Sequence, residues 1–240
     1  VSTWSASFAS RTSGMAGDFT TAARPAPGYH PRTVPRVGHA AASAELASRD
    51  RTMRRLVDRF GPCKIGRSTR SHFEALAESI VYQQLAGAAA AAIWGRFRGL
   101  FDGEFSPDAV LAKRETTLRG AGLSPNKMVS IRDLAAKIRD GTVPVERLTR
   151  LPDEAIIERL IVVRGIGRWT AEMFLMFQLR RIDVWPVDDY GVRKGYARAY
   201  KLADLPKPKQ LRDLGDRFRP YRSVAAWYCW RAVEAPPGPV

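Results

Sequence analysis

From about residue 49 onward the apolar residues of this 240-residue chain recur every three or four positions, and almost nowhere do they alternate. Phe73, Leu76, Ala77, Ile80, Val81 and Gln84 follow the i, i+3, i+4, i+7 pattern, and the alanine-rich stretch after them carries Ile93, Trp94 and Phe97 on the same period. Such spacing predicts consecutive amphipathic helices. Ser106, Pro107 and Asp108 form a helix start signal, and further helices are expected over 126–138, 152–160, 169–179, 211–218 and 223–233. The nearest approach to a strand, residues 182–187, is short and contains Pro186, which a central strand does not tolerate. The expected fold class is therefore all-α, in a chain long enough to bury a sizeable core.

Residues 1–48 are rich in Ser, Thr, Ala, Gly and Pro and show no sustained period, so they are read as a disordered tail preceding a domain over 49–240. The opening VSTWSASFASRTSG lacks the basic start and continuous apolar stretch of a signal peptide. No apolar run approaches the roughly 20 residues that span a bilayer. The expectation is a cytoplasmic protein with no membrane partner.

Formal charge narrows the partners. Thirty-nine Lys and Arg against 24 Asp and Glu leave +15, a field that attracts polyanions such as nucleic acid. The tail holds Arg11, Arg24, Arg32 and Arg36 against Asp18 and Glu45, so most of the excess lies on the domain. Cys63 and Cys229 are the only cysteines, too few for a disulfide framework or a four-cysteine zinc or iron–sulfur site. His30, His39 and His72 show no metal-ligand spacing.

Two segments carry chemistry. The first is Val163-Arg164-Gly165-Ile166-Gly167 between two predicted helices. Two glycines around one aliphatic residue allow a tight turn and a close backbone approach, with amide N–H groups at the mouth of the second helix where an anion is favoured. A tight connection between packed helices fits the same residues. The second is Asp188-Asp189, reached through Val184-Trp185-Pro186-Val187 and followed by Tyr190 to Lys194. Adjacent carboxylates here suit either capping of a helix beginning near Gly191 or catalysis.

Taken together, L-x-x-x-x-G-I-G-R-W-T-A-E-M-F followed by D-V-x-P-x-D-D, with Asp189 placed 24 positions after Gly165, resembles the helix-hairpin-helix-GPD superfamily of DNA glycosylases, and within it the 3-methyladenine DNA glycosylase II branch. The similarity runs from FEALAESIVYQQLAG at 73–87 to PYRSVAAWYCW at 220–230. It implies two helical subdomains flanking a cleft and a monomeric, nucleoid-associated enzyme acting on double-stranded DNA that carries a damaged base. It assigns the catalytic carboxylate to Asp189, with Asp188 capping or orienting. The phosphate grip falls on Val163, Arg164, Gly165, Ile166, Gly167 and Arg168, and no cofactor is implied beyond a structural monovalent cation at the backbone of Val163 and Gly165. Leu85, preceded by Gln84, corresponds to the side chain that wedges into the duplex, and Trp169 and Trp230 to the walls of the base pocket. Met173 stands where some relatives place another aromatic, and Arg164 where proline is frequent. Lys127, Arg193, Lys194, Arg198 and Lys201 are further candidates for phosphate contacts.

The chemistry follows from residue types. An extruded alkylated purine is cationic and leaves readily, so the protein must select it by stacking. It must also stabilise the oxocarbenium-like sugar left behind. Trp169 occupies the position where strand-cutting relatives keep a lysine, so water is the expected nucleophile. Two other readings fit the hairpin: a DNA-binding module without chemistry, and a glycosylase for uracil or mismatched bases. A pure binder needs neither Asp189 nor the tryptophans.

Overall fold

The structure is a computed structural model and describes residues 38–234. Twelve α-helices are present among these residues: α1 His39–Arg49, α2 Arg51–Phe60, α3 His72–Tyr82, α4 Gly87–Arg98, α5 Pro107–Ala112, α6 Glu115–Gly120, α7 Pro125–Arg139, α8 Asp153–Leu160, α9 Arg168–Met173, α10 Tyr190–Ala199, α11 Pro208–Gly215 and α12 Arg222–Glu234. Short 3₁₀ turns at Val145–Arg150 and Asp216–Phe218 complete the set with one π-helical turn at Phe174–Gln178. There is no strand among the described residues. Residues 182–187 spend their hydrogen bonds on the start of α12 instead: Ser223 N–H donates to the Ile182 carbonyl at 3.0 Å and Val184 N–H to Ser223 Oγ at 2.9 Å.

The helices fall into two groups. In one, α1, α2 and α10 surround α12, in which every residue from Ser223 to Trp230 is buried. A helix without a polar face must sit in the middle of its group. In the other, α3 packs on α4 and α7, and α7 on α5 and α6, around a ring cluster of Phe73, Trp94, Phe97, Phe101 and Phe105 with centroids 5.0 to 5.9 Å apart, Phe105 stacked on Phe73 and edge-on to Trp94, Phe97 and Phe101. The segment α8–α9 and its π turn runs between them: the π turn packs on α3, and Phe177 within it stacks on Trp230 of α12 at 5.8 Å.

Helix α1 corrects the expected boundary, because residues 39–48 are helical and not part of a tail. Ala42 and Leu46 are fully buried, and Ser43 Oγ accepts from Cys63 N–H at 3.0 Å. The inward stripe is mostly alanine and serine, so its apolar signal is faint while alanine's helix propensity is strong. His39 is likewise buried, with Nδ1 facing the Arg180 guanidinium at 3.0 Å. Residues 1–37, including His30, lie outside the described residues. The helix expected over 169–179 is also modified, since its second half is a π turn, a form frequent at functional sites.

Candidate active site

The two motifs meet at Asp189. The approach residues Val184, Trp185, Pro186 and Val187 are all buried, with Trp185 Nε1 donating to the Leu211 carbonyl at 2.8 Å, and they deliver Asp189 to the start of α10. Its backbone is extended and its Oδ1 accepts from Val192 N–H at 2.7 Å, the geometry of a helix N-cap. The capping role expected of Asp188 therefore belongs to Asp189. The N-cap is the residue immediately before the first helical one; the helix starts at Tyr190, so Asp189 takes that position, and Asp188 lies one residue outside it and is exposed.

Asp189 itself is buried, and two indoles close on it. Trp230 Nε1 donates to Oδ1 at 2.9 Å and Trp169 Nε1 to Oδ2 at 2.7 Å. Trp169 comes from the hairpin helix α9 and Trp230 from α12, so one carboxylate gathers three helices. Both tryptophans thus turn their N–H edges to the acid, which stacking alone does not require. Trp169 is half-buried and Trp230 buried, with Phe177 lying nearly parallel to the Trp230 ring at an angle of 27°. Met173, at the end of α9, is buried in the apolar core.

Small residues on α10 make the convergence possible. A Cβ at Gly191 would stand 2.8 Å from Trp230 Cδ1 and 3.1 Å from Asp189 Oδ1, and one at Gly195 would stand 1.9 Å from the Cys229 carbonyl oxygen. These glycines, four apart and so on one face, let α12 approach until Trp230 reaches the acid. Burial drives the Cys229 thiol well above its usual range, the neighbouring Asp189 charge adding to the effect. Cys63 is likewise buried, its thiol pushed up to about 12 mainly by burial.

The hairpin presents a tight turn with Val163 and Ile166 buried and Arg164, Gly165, Gly167 and Arg168 exposed. Gly165 has φ of +79°, which disfavours any side chain, and a Cβ there would lie 2.7 Å from Ser130 Oγ. Of the amides read as a phosphate grip, those of Val163, Arg164 and Ile166 are occupied, donating to the Leu160 carbonyl at 3.1 Å, to Asp133 Oδ2 at 2.8 Å and to the Val163 carbonyl at 3.0 Å. The carbonyls of Val163 and Gly165 each accept one hydrogen bond, from Ile166 N–H at 3.0 Å and from Gln83 Nε2 at 2.8 Å.

Four of the basic candidates donate hydrogen bonds within the protein, among them Arg198, whose Nη1 reaches the Val233 carbonyl at 3.4 Å. Arg168 makes a bidentate pair with Glu154 at 2.6 and 2.8 Å and reaches Glu172 at 3.2 Å, so its charge is largely spent on clasping α8 to α9. Arg193 Nε donates to the Pro206 carbonyl at 2.8 Å. Lys127 Nζ donates to the Val81 carbonyl at 2.7 Å, and burial lowers its pKa. A carbonyl left open at a helix end competes with phosphate for any long cation within reach. Arg164, Lys194 and Lys201 are exposed and Arg198 half-buried. In the turn between α3 and α4, Gln84 is exposed with φ of +59° and Leu85 half-buried.

Sequence reasoning passed over Phe177, Gln83, Glu172 and the two α10 glycines. Glu172 is buried, its Oε2 has no partner among the described residues, and burial raises its carboxyl to about 7. Its place three residues after Trp169 on α9 was the only available signal.

An all-α fold in which a glycine hairpin leads to a buried, tryptophan-bound aspartate defines a class of DNA base-repair proteins, and comparison with known proteins agrees. Residues 77–220 match the HhH-GPD superfamily of base excision DNA repair proteins. The chain belongs to that superfamily. It is 35% identical over 198 residues to DNA-3-methyladenine glycosylase 1 of Schizosaccharomyces pombe, covering 80% of this chain and 87% of that protein. The solved structure of the S. pombe 3-methyladenine DNA glycosylase in complex with abasic DNA superposes with a TM-score of 0.72 at 33% identity, over 81% of this chain and 97% of the other. A DNA-3-methyladenine glycosidase from Bacillus halodurans superposes with a TM-score of 0.73 at 32% identity, over 79% and 88%.

Proposed function

We propose that this protein is a monofunctional DNA glycosylase that removes alkylated bases of the 3-methyladenine type from double-stranded DNA and leaves an abasic site. The observation that carries the reading is Asp189, a buried carboxylate bonded by Trp169 and Trp230 and standing directly beyond the hairpin helix. The relatives named for 3-methyladenine excision support the substrate class.

In this reading the exposed hairpin turn with Arg164 meets a phosphate, and the target nucleotide is extruded at a cost of a few kcal/mol. Leu85 fills the vacated stack. The cationic base lies against Trp169, the more exposed indole, and such contacts contribute about 0.5 to 2 kcal/mol. Departure of the base leaves positive charge on the sugar, which the fixed Asp189 carboxylate stabilises in a partly dry site while orienting the attacking water. No amine stands at the Trp169 position, so water captures the sugar. Carbonyl oxygens are suitable donors for a monovalent cation, and Val163 and Gly165 each keep a second lone pair for one. The working form is a monomer acting at the chromosome.

The test is incubation of the purified protein with duplexes each bearing one lesion, among them 3-methyladenine, 7-methylguanine, ethenoadenine, hypoxanthine and uracil, scored for abasic sites after alkali. Release of alkylated purines by the protein and not by Asp189→Asn is expected. Tight DNA binding with no base release from any duplex would overturn the proposal in favour of a binding module, and release of uracil alone would overturn the substrate class.

A further inference from the structure

Three side chains of α7 serve two separate loops. Lys127, Ser130 and Asp133 stand three residues apart, hence along one face of the helix, and the helix is anchored by Ser124 at its N-cap with Pro125 in its first turn. Lys127 Nζ holds the Val81 carbonyl at the end of α3, immediately before the turn that carries Gln84 and Leu85. Ser130 lies under Gly165, close enough to forbid a Cβ there, and Asp133 accepts the Arg164 N–H. The last two grip the hairpin. Asp133 is itself ion-paired with Lys137 one turn further on, so the acceptor is held in place.

One direct bond closes this circuit. Gln83 Nε2 donates to the Gly165 carbonyl at 2.8 Å, joining residues 82 positions apart. The next residue, Gln84, takes the left-handed φ of +59°, a conformation that non-glycine residues hold only when their surroundings enforce it. Gln83 fixed on one side and Leu85, half-buried, on the other supply that enforcement.

We propose that Gln83 is a positioning residue which, with the Lys127, Ser130 and Asp133 face of α7, holds the Gln84–Leu85 turn in register with the hairpin, so that phosphate gripping and insertion of Leu85 into the duplex occur as one coupled event. The proposal rests on the reading of Leu85 as the wedge. Its physical basis is that the Gln83 bond lies between the two loops that touch DNA: bound duplex covers it, removes competing water and strengthens it. A hairpin seated on phosphate thereby stiffens the turn that must enter the stack.

The test follows 2-aminopurine fluorescence in a duplex where that base faces a tetrahydrofuran abasic analogue, so that wedge insertion is read without any base release. Gln83→Met keeps length and loses the donor, Gln83→Lys restores a donor, and thermal melting verifies folding of each. Gln83→Met is expected to slow insertion about fivefold, the range one net hydrogen bond allows, with affinity for undamaged duplex unchanged within about twofold. Gln83→Lys should recover most of the rate, and in a Leu85→Ala background Gln83→Met should add nothing. An unchanged insertion rate in Gln83→Met, full additivity with Leu85→Ala, or no effect of Leu85→Ala itself would each overturn the proposal. Failure of the proposed function is separable: a protein that inserts its wedge in this assay but releases no base from any duplex of the lesion panel loses its assignment as a glycosylase while the coupling stands.

Discussion

The Trp230 indole nitrogen and Asp189 Oδ1, separated by 41 positions in the chain, stand 2.9 Å apart in the fold. That bond gives the tryptophan a second task beyond filling space, because it shares the carboxylate with Trp169 and with the α10 backbone. The acid that is to face a developing sugar cation is thereby held from both oxygens before any substrate arrives, which is the arrangement electrostatic stabilisation needs.

Asp189→Asn is expected to lower base release by at least 10²-fold, the order seen when one fixed charge-stabilising group is removed. The amide turns an NH₂ toward an indole N–H or the Val192 N–H, where the native residue offers only acceptors, so a stability loss of about 1 to 3 kcal/mol should accompany it. Asp188→Asn, at an exposed position outside this network, should change excision less than tenfold. Single-turnover excision and thermal melting of both variants check this. Equal loss in the two would reassign the catalytic acid.

Trp169→Phe separates stacking from bonding. It retains an aromatic face and deletes the 2.7 Å bond to Asp189, so excision should fall by about tenfold, one hydrogen bond to a charged group, with lesion-duplex affinity nearly kept. Trp169→Lys removes the wall and supplies an amine, and borohydride should trap an adduct, if at all, in that variant alone. An adduct trapped efficiently with the unmodified protein would show that another amine attacks the sugar.

Glu172 should make stability depend on pH. Burial raises its carboxyl from the usual 4.5 to about 7, so between these values the folded chain binds more protons than the unfolded one and stability falls as pH rises, by about 3 kcal/mol at most. Glu172→Gln should abolish this component and raise the melting temperature at pH 8 relative to the parent. Buried His39, lowered to about 4 by burial and then by Arg180, acts in the opposite sense, adding stability as pH rises from about 4 to 6.5. The Glu172 component is therefore read as the difference between variant and parent melting curves at pH 5, 6.5 and 8. A pH-independent difference would refute it.

Gly195→Ala should be among the most damaging single-methyl additions. The new Cβ meets backbone, the Cys229 carbonyl at 1.9 Å, and α12 must move away from α10 to admit it. A loss of about 3 kcal/mol is expected, together with reduced excision because Trp230 retreats from Asp189. Denaturant melts and the excision assay test this, and a variant as stable as the parent would show that the two helices have room to spare.

Much of this protein is legible along the chain because its signals are local. The 3.6-residue period of Phe73, Leu76 and Ile80 announces helix, Pro186 removes the one candidate strand, and the Gly165-Ile166-Gly167 turn with Asp189 at its fixed distance identifies the family. These depend on neighbours within a turn or two, where chain geometry leaves few choices. What tertiary structure decided concerns which partners a side chain meets across long separations. Asp189 rather than Asp188 became the cap because α10 begins at Tyr190, directly after it, leaving Asp188 exposed one position outside the helix. Arg168, Arg193 and Lys127, all plausible phosphate ligands by charge, were claimed by Glu154 and Glu172, by the Pro206 carbonyl and by the Val81 carbonyl, because a packed chain satisfies its own polar groups wherever a donor can reach. Phe177, Gln83 and the α10 glycines carry no local mark of their tasks. Their roles exist only once α9, α10 and α12 converge, since close packing makes a residue's surroundings, and not its spacing, the measure of what it does.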